Sequence, residues 1–255
     1  MEFVNYLGDE NVAAFFLLFA RLSGAFVFFP FFSHNNIPNV IKASLVLFLT
    51  MFFFPLAQFE APSYNSFLIL QILSEVLLGM IAGLLVSIIF AMVQFAGEQI
   101  AFTMGFTMAS VLDPSLGASV PITTQLLNLL ALLVFLAFDG HHLILLFLSQ
   151  GLNYIELGSF YPGENFLTYI NQAMLSIFII GFCMAFPVLA VNLLSDFIFG
   201  LLMKTMPQFN LLVVGYPIKI AIGFVVLVAI LAIMMQYFKE LILKVFSDMQ
   251  TLFFI

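Results

Sequence analysis

Three charged residues sit where charge is expensive. Arg21 lies inside the apolar stretch Val12–Phe32, Glu75 inside Phe67–Phe95, and Glu98 just beyond that second stretch. A charge at the centre of a bilayer costs at least about 2.5–3.5 kcal/mol, so Arg21 needs an acid beside it. Within the chain the candidates are Glu75, Glu98, Asp139 and Asp196, and an acid on a neighbouring subunit is a further one. Such a pair could be an intersubunit or gating salt bridge. Alternatively, Arg21, Glu75 and Glu98 could form the buried relay of a proton-coupled small-molecule transporter. The plainer alternatives are that Arg21 snorkels to the membrane surface and that the glutamates hydrogen-bond to neighbouring helices.

Other chemistry has less support. His141 and His142 are adjacent, so on a regular helix they should diverge. His34 is remote and Cys183 is the single cysteine. No metal-ligand spacing of the zinc type results. Cys183, within an apolar run, is expected to be a small buried hydrophobe. The glycines form no phosphate-cradling loop, and no serine has a nucleophile motif around it. The expectation is a chain with no catalytic residues, no metal and no cofactor, and therefore not an enzyme.

The most informative segment is Gly97–Pro121, GEQIAFTMGFTMASVLDPSLGASVP. Gly97, Gly105, Gly117, Pro114 and Pro121 break it, Met104 and Met108 stand at helical i, i+4 spacing, and only Glu98 and Asp113 are charged. One helix across lipid is not expected here, because broken backbone in hydrocarbon leaves polar groups without partners. The segment is also too apolar for open water. Irregular backbone at membrane depth belongs where protein buries it or where it lines a passage, which points to a pore, a gate or a subunit interface. Methionine adapts its shape to what it packs against. Met104, Gly105, Phe106, Met108, Val111, Asp113 and Pro114 are the candidate gate residues.

The elements around that segment are apolar runs. Hydrophobic residues make up 64% of the 255, charged residues 7%, and mean hydropathy is +1.21. Soluble domains are about 25% charged, so this chain is expected to be an all-α integral membrane protein. The runs are Val12–Phe32, Ala43–Gln58, Phe67–Phe95, Leu126–Leu148, Phe166–Met203 and Ile218–Phe238. A bilayer needs about 20 residues. The fourth run is interrupted at Asp139-Gly140-His141-His142, and the fifth is long enough that Gly181 and Pro187 should bend or split it. Lys42 and Lys204, read as loop residues, would face the cytoplasm, whereas Lys239 and Lys244 conflict with a simple six-span path. Broken or re-entrant hairpins would remove the conflict. Net charge is −7 and no basic patch is present, so nucleic acid is not an expected partner. The start, MEFVNYLGDE, lacks a basic n-region, so no cleavable signal peptide is expected.

Several scattered pieces share one order with a known family. They are Arg21 with Pro30, Asn36-Ile37-Pro38 ahead of Lys42, and Gly97-Glu98 through Met104-Gly105 to Asp113-Pro114. Leu126–Phe138 with Asp139-Gly140-His141 follows, then Met206-Pro207-Gln208 and Val214-Gly215-Tyr216-Pro217. In this the chain resembles the FliR family, the R subunit of the flagellar export gate, whose counterparts serve injectisomes. The resemblance covers nearly the whole length. It implies a fold like a fusion of the P and Q gate subunits, built from kinked helical hairpins as a single polytopic domain over residues 1–255. It implies partnership with P- and Q-type subunits (FliP, FliQ), with FlhB, with the lipid bilayer of the bacterial inner membrane and with unfolded export substrates. A plug-like loop at about residues 105–122 would help close the pore, with Met108 and Val111 at positions where some relatives carry aromatics. Driving energy would come from outside the chain.

Overall fold

The computed structural model describes residues 9–29, 37–56, 68–106, 120–161, 163–206 and 211–253. All regular structure among them is helical: α1 (Asp9–Phe28), α2 (Asn39–Phe53) with a short 3₁₀ turn Phe54–Leu56, α3 (Leu68–Met104), α4 (Ile122–Ala137), α5 (Gly140–Tyr154), α6 (Glu164–Thr205), a π turn Leu211–Gly215, and α7 (Tyr216–Phe253). Four helices, α1, α3, α6 and α7, are long and apolar enough to cross a membrane, and α4 with α5 forms a broken pair of the same character. The chain is an all-α integral membrane protein. Of the six apolar runs, Ala43–Gln58 is the one whose helix, α2, falls short of a span.

Several expectations need correction. The fifth run does not split, because α6 is continuous over 42 residues with Pro187 inside it. A proline there removes one backbone hydrogen bond but has a helix-compatible φ. Gly181 marks a close approach: an added Cβ would lie 2.8 Å from the Met92 carbonyl of α3. The segment Gly97–Pro121 is not broken throughout, since Gly97–Met104 forms the last two turns of α3. Gly97 serves packing, as a Cβ would meet Thr124 Cα at 2.7 Å, and Thr123 Oγ1 donates to the Gly97 carbonyl at 3.3 Å. Lys42 lies within α2 and Lys204 in the last turn of α6, not in loops.

The chain divides into two compact units, and the division falls inside α3, α6 and α7. Unit 1 is Met1–Ile88, Phe138–Gln172 and Ile242–Ile255, and unit 2 is Ile89–Ala137 and Ala173–Leu241. In unit 1, α1 packs on α2 and its backbone closes on that of α3. Gly24 of α1 lies against Val76 and Met80, and Gly79 and Gly83 of α3 lie against the backbone of Arg21 and Ala25. Small residues four apart allow this approach, the usual device of helices in lipid. In unit 2, Phe90 makes edge contacts with both Phe135 and Phe238. About half of the most apolar stretches of α1 and α3 is buried, against 28% for α6 and α7. Those two helices leave Phe178, Phe182, Phe186 and Val228 at the surface, apolar area suited to lipid or neighbouring chains. Cys183 is exposed on that surface rather than buried. In lipid a small hydrophobe loses nothing by facing outward.

Candidate functional site

In unit 1 the fold selects one of the four candidate acids for Arg21. The Arg21 guanidinium faces the Glu75 carboxylate with two prongs, Nε to Oε2 and Nη2 to Oε1, the latter at 3.0 Å. Arg21 is 1% exposed and Glu75 fully buried, so Arg21 does not reach a surface. The remaining bonds complete the cluster. Nη1 donates to the Gly151 carbonyl at 3.3 Å and Nη2 to the Ile155 carbonyl at 3.2 Å, at the C-terminal end of α5. A cation is favourable there because helix ends leave carbonyls unpaired and carry partial negative charge. The Gly158 N–H donates to Glu75 Oε1 at 2.6 Å. Gly158 has φ 81, and an added Cβ would press on the Gln71 side chain at 3.0 Å, so glycine is required on two counts. One ion pair thus ties α1, α3 and the turn after α5.

Unit 2 holds the root of the broken segment. At the end of α3, Gly105 has φ 90. Its N–H reaches the Phe102 carbonyl at 3.1 Å while the Phe106 N–H reaches the Ala101 carbonyl at 3.0 Å. That is a Schellman cap with glycine in the left-handed position, so Gly105 is what ends the helix. The start of α7 grips this corner. The Tyr216 ring covers Gly105, where a Cβ would come within 2.7 Å of it. Phe224 meets Phe106 edge-on at 6.0 Å. Met104 is fully buried and fits against Gly223, where an added Cβ would meet Met104 Cγ at 3.0 Å and Asn192 Nδ2 at 3.2 Å.

Asn192 of α6 is fully buried, and among the described residues neither its Oδ1 nor its Nδ2 has a hydrogen-bond partner. One turn along α6, Asp196 accepts from Lys219 of α7, with both carboxylate oxygens at 2.7 Å from Nζ. This pair was not anticipated. The two residues are 23 apart in sequence, and only the antiparallel return of α7 along α6 brings them together. Glu98 is half-buried on α3 and accepts from Gln94 at 3.0 Å, one turn earlier. Met108, Val111, Asp113 and Pro114 lie outside the described residues.

One local expectation is overturned at the start of α5. His141 and His142 do not diverge; their ring centroids are 4.2 Å apart. They follow Asp139, whose left-handed backbone (φ 59) starts the helix abruptly, and in a first turn side chains are not held apart by a preceding one.

Comparisons with known proteins identify the family. A family model described as bacterial export proteins, family 1, matches residues 12–245. The chain belongs to that family. It is 34% identical over 244 residues to the flagellar biosynthetic protein FliR of Bacillus subtilis (strain 168), covering 94% of each chain. It is 26% identical over 219 residues to FliR of Escherichia coli (strain K12), covering 86% of this chain and 84% of the relative. To FliR of Aquifex aeolicus (strain VF5) it is 26% identical over 226 residues, covering 86% and 85%. The FliR family indicated by the spread motifs is therefore the family of this chain. Gly105, Tyr216 and the Arg21–Glu75 pair all fall inside the stretch matched by the export-protein model.

Proposed function

We propose that this chain is a core subunit of the type III export gate of the flagellum, a multi-pass protein of the bacterial inner membrane. It forms part of the channel for unfolded flagellar proteins. P- and Q-type subunits (FliP, FliQ) and FlhB are its partners, and residues 1–255 act as one polytopic domain within the complex. Membership of an export-protein family and relatives named as flagellar biosynthetic proteins support the export role. The exposed apolar faces of α6 and α7 give partner subunits and lipid a surface to cover.

The gate reading rests on one observation. Two helices close on Met104-Gly105-Phe106: α7 through Tyr216, Gly223 and Phe224, and α6 through Asn192, which lies with Met104 against Gly223. A segment gripped at its root in this way is suited to hang across a passage and close it. Met104, Gly105 and Phe106 are the hinge of that closure, with Met108, Val111, Asp113 and Pro114 in the part that would obstruct the pore. Passage of substrates is passive at this chain.

The transporter alternative uses Arg21, Glu75 and Glu98 as a relay. It is the weaker reading, because both oxygens of Glu75 accept from Arg21, with Gly158 adding a third donor. A carboxylate engaged on both oxygens is held in a fixed structural network rather than left open as a relay. The deciding experiment is affinity purification of tagged chain in mild detergent, with mass spectrometry of what accompanies it. Recovery in a large complex with P- and Q-type subunits is expected. A clean monomer or homodimer would favour the transporter.

A further inference from the structure

We propose that Asp139, His141 and His142 form a binding site for a borderline divalent cation of the Zn²⁺ class. The proposal does not depend on the export reading. The three residues open α5. Asp139 Oδ1 and His142 Nδ1 are 3.3 Å apart, and the two imidazoles lie side by side with centroids 4.2 Å apart. One donor atom from each residue lies within 4.8 Å of the other two. Tetrahedral zinc with bonds of about 2.0–2.2 Å holds its ligand atoms about 3.3–3.6 Å apart. Binding therefore requires the three side chains to draw together.

Two observations favour a ligand over a simple surface contact. The first is Asp139. It occupies the N-cap position of α5, where aspartate normally accepts a hydrogen bond from the first turn, yet its side chain makes no cap bond. Its backbone is left-handed, which is uncommon for a residue other than glycine, and its carboxylate faces His142 instead of the helix. The second is His141. Its Nδ1 is buried and has no hydrogen-bond partner among the described residues, whereas buried polar atoms nearly always have one. An Asp139–His142 ion pair would account for the first observation and leave the second unexplained. A cation held by the cluster accounts for both.

The donor set fixes the class of ion. Two imidazole nitrogens and one carboxylate oxygen suit Zn²⁺ and its first-row neighbours, while Mg²⁺ and Ca²⁺ prefer all-oxygen sites. Three protein ligands leave a position for water, so the ion is exchangeable. Asp139 and His142 are mostly exposed, at 71% and 67%, which gives ions access. The N-terminal end of a helix opposes a cation, and the Asp139 carboxylate supplies the compensating charge. That makes residue 139 the sharpest position to test.

The test uses the full chain in detergent, copurified with whatever it assembles with and carrying no polyhistidine tag, titrated with Zn²⁺ against a chromogenic chelator. Saturable binding of one ion per chain is expected. Asp139→Asn, His141→Gln and His142→Gln should each weaken it at least about tenfold, a loss typical even for ligand-supporting residues. His34→Gln should leave it unchanged. Zn²⁺ should raise the thermal unfolding midpoint of the unaltered chain and not that of His142→Gln. Asn tolerates the left-handed backbone, so Asp139→Asn keeps the fold and its result stands if a histidine variant misfolds. Absence of saturable binding, or affinity indifferent to Asp139→Asn and His142→Gln, overturns the site.

Discussion

Unit 1 and unit 2 each set one buried basic side chain against an acid, and they do so differently. In unit 1 the planar Arg21 fork meets Glu75 on both prongs, and three backbone groups take up donors and acceptors that remain. In unit 2 a single ammonium, Lys219, meets Asp196, whose side chain is 49% exposed. Asn192, one turn away, has no side-chain hydrogen-bond partner among the described residues. A complete buried network holds one geometry because every rearrangement breaks several bonds at once. An incomplete one does not: any arrangement that gives Asn192 a partner recovers the desolvation penalty of about 1–3 kcal/mol that it now carries. The Arg21 cluster is therefore the fixed frame. The corner at Met104-Gly105-Phe106, beside Asn192, is the place where a second arrangement is within reach.

Breaking the frame should give the largest effect. Arg21→Leu strands the Glu75 carboxylate among apolar side chains, and removing one member of a buried pair costs about 3–5 kcal/mol. The expected result is a lower unfolding midpoint in detergent and little chain recovered in the assembled complex. Normal assembly would mean that the cluster is not structural. Disturbing the corner should cost less. Gly223→Val puts a side chain where Met104 and Asn192 now sit, and overpacking of this kind costs about 1–3 kcal/mol. Assembly should survive, and the closed complex should pass ions more readily than the unaltered one. A Gly223→Val complex as tight as the unaltered one would separate Met104 from closure. The smallest effect belongs to the half-exposed pair. Asp196→Asn should lower the midpoint by less than a well-buried pair would, about 1 kcal/mol or below, because Lys219 can extend its ammonium toward solvent. A loss comparable to that of Arg21→Leu would erase the distinction between the units.

Much of this was legible from residues alone. The apolar runs located the helices, and Asp139-Gly140 marked a break that the structure places between α4 and α5. Gly105 after a helical run is a stop signal, and it stops α3. Gly97 was misjudged because a glycine that breaks a helix and one that lets Thr124 approach look alike until the neighbour is known. Arg21 announced a need for an acid, but choosing Glu75 over three others required the register of α1 on α3. Gly79-Met80-Ile81-Ala82-Gly83 did carry a signal for that register, a pair of small residues four apart. Lys219 and Asp196 gave none, since their meeting depends on how α7 returns along α6.

The central claim is that the segment rooted at Gly105 closes a passage. The direct measurement is ionic conductance across membranes containing the assembled complex, with and without deletion of Gly105–Gly117. The account predicts intact assembly and a marked rise in conductance on deletion. Intact assembly with unchanged conductance would contradict it.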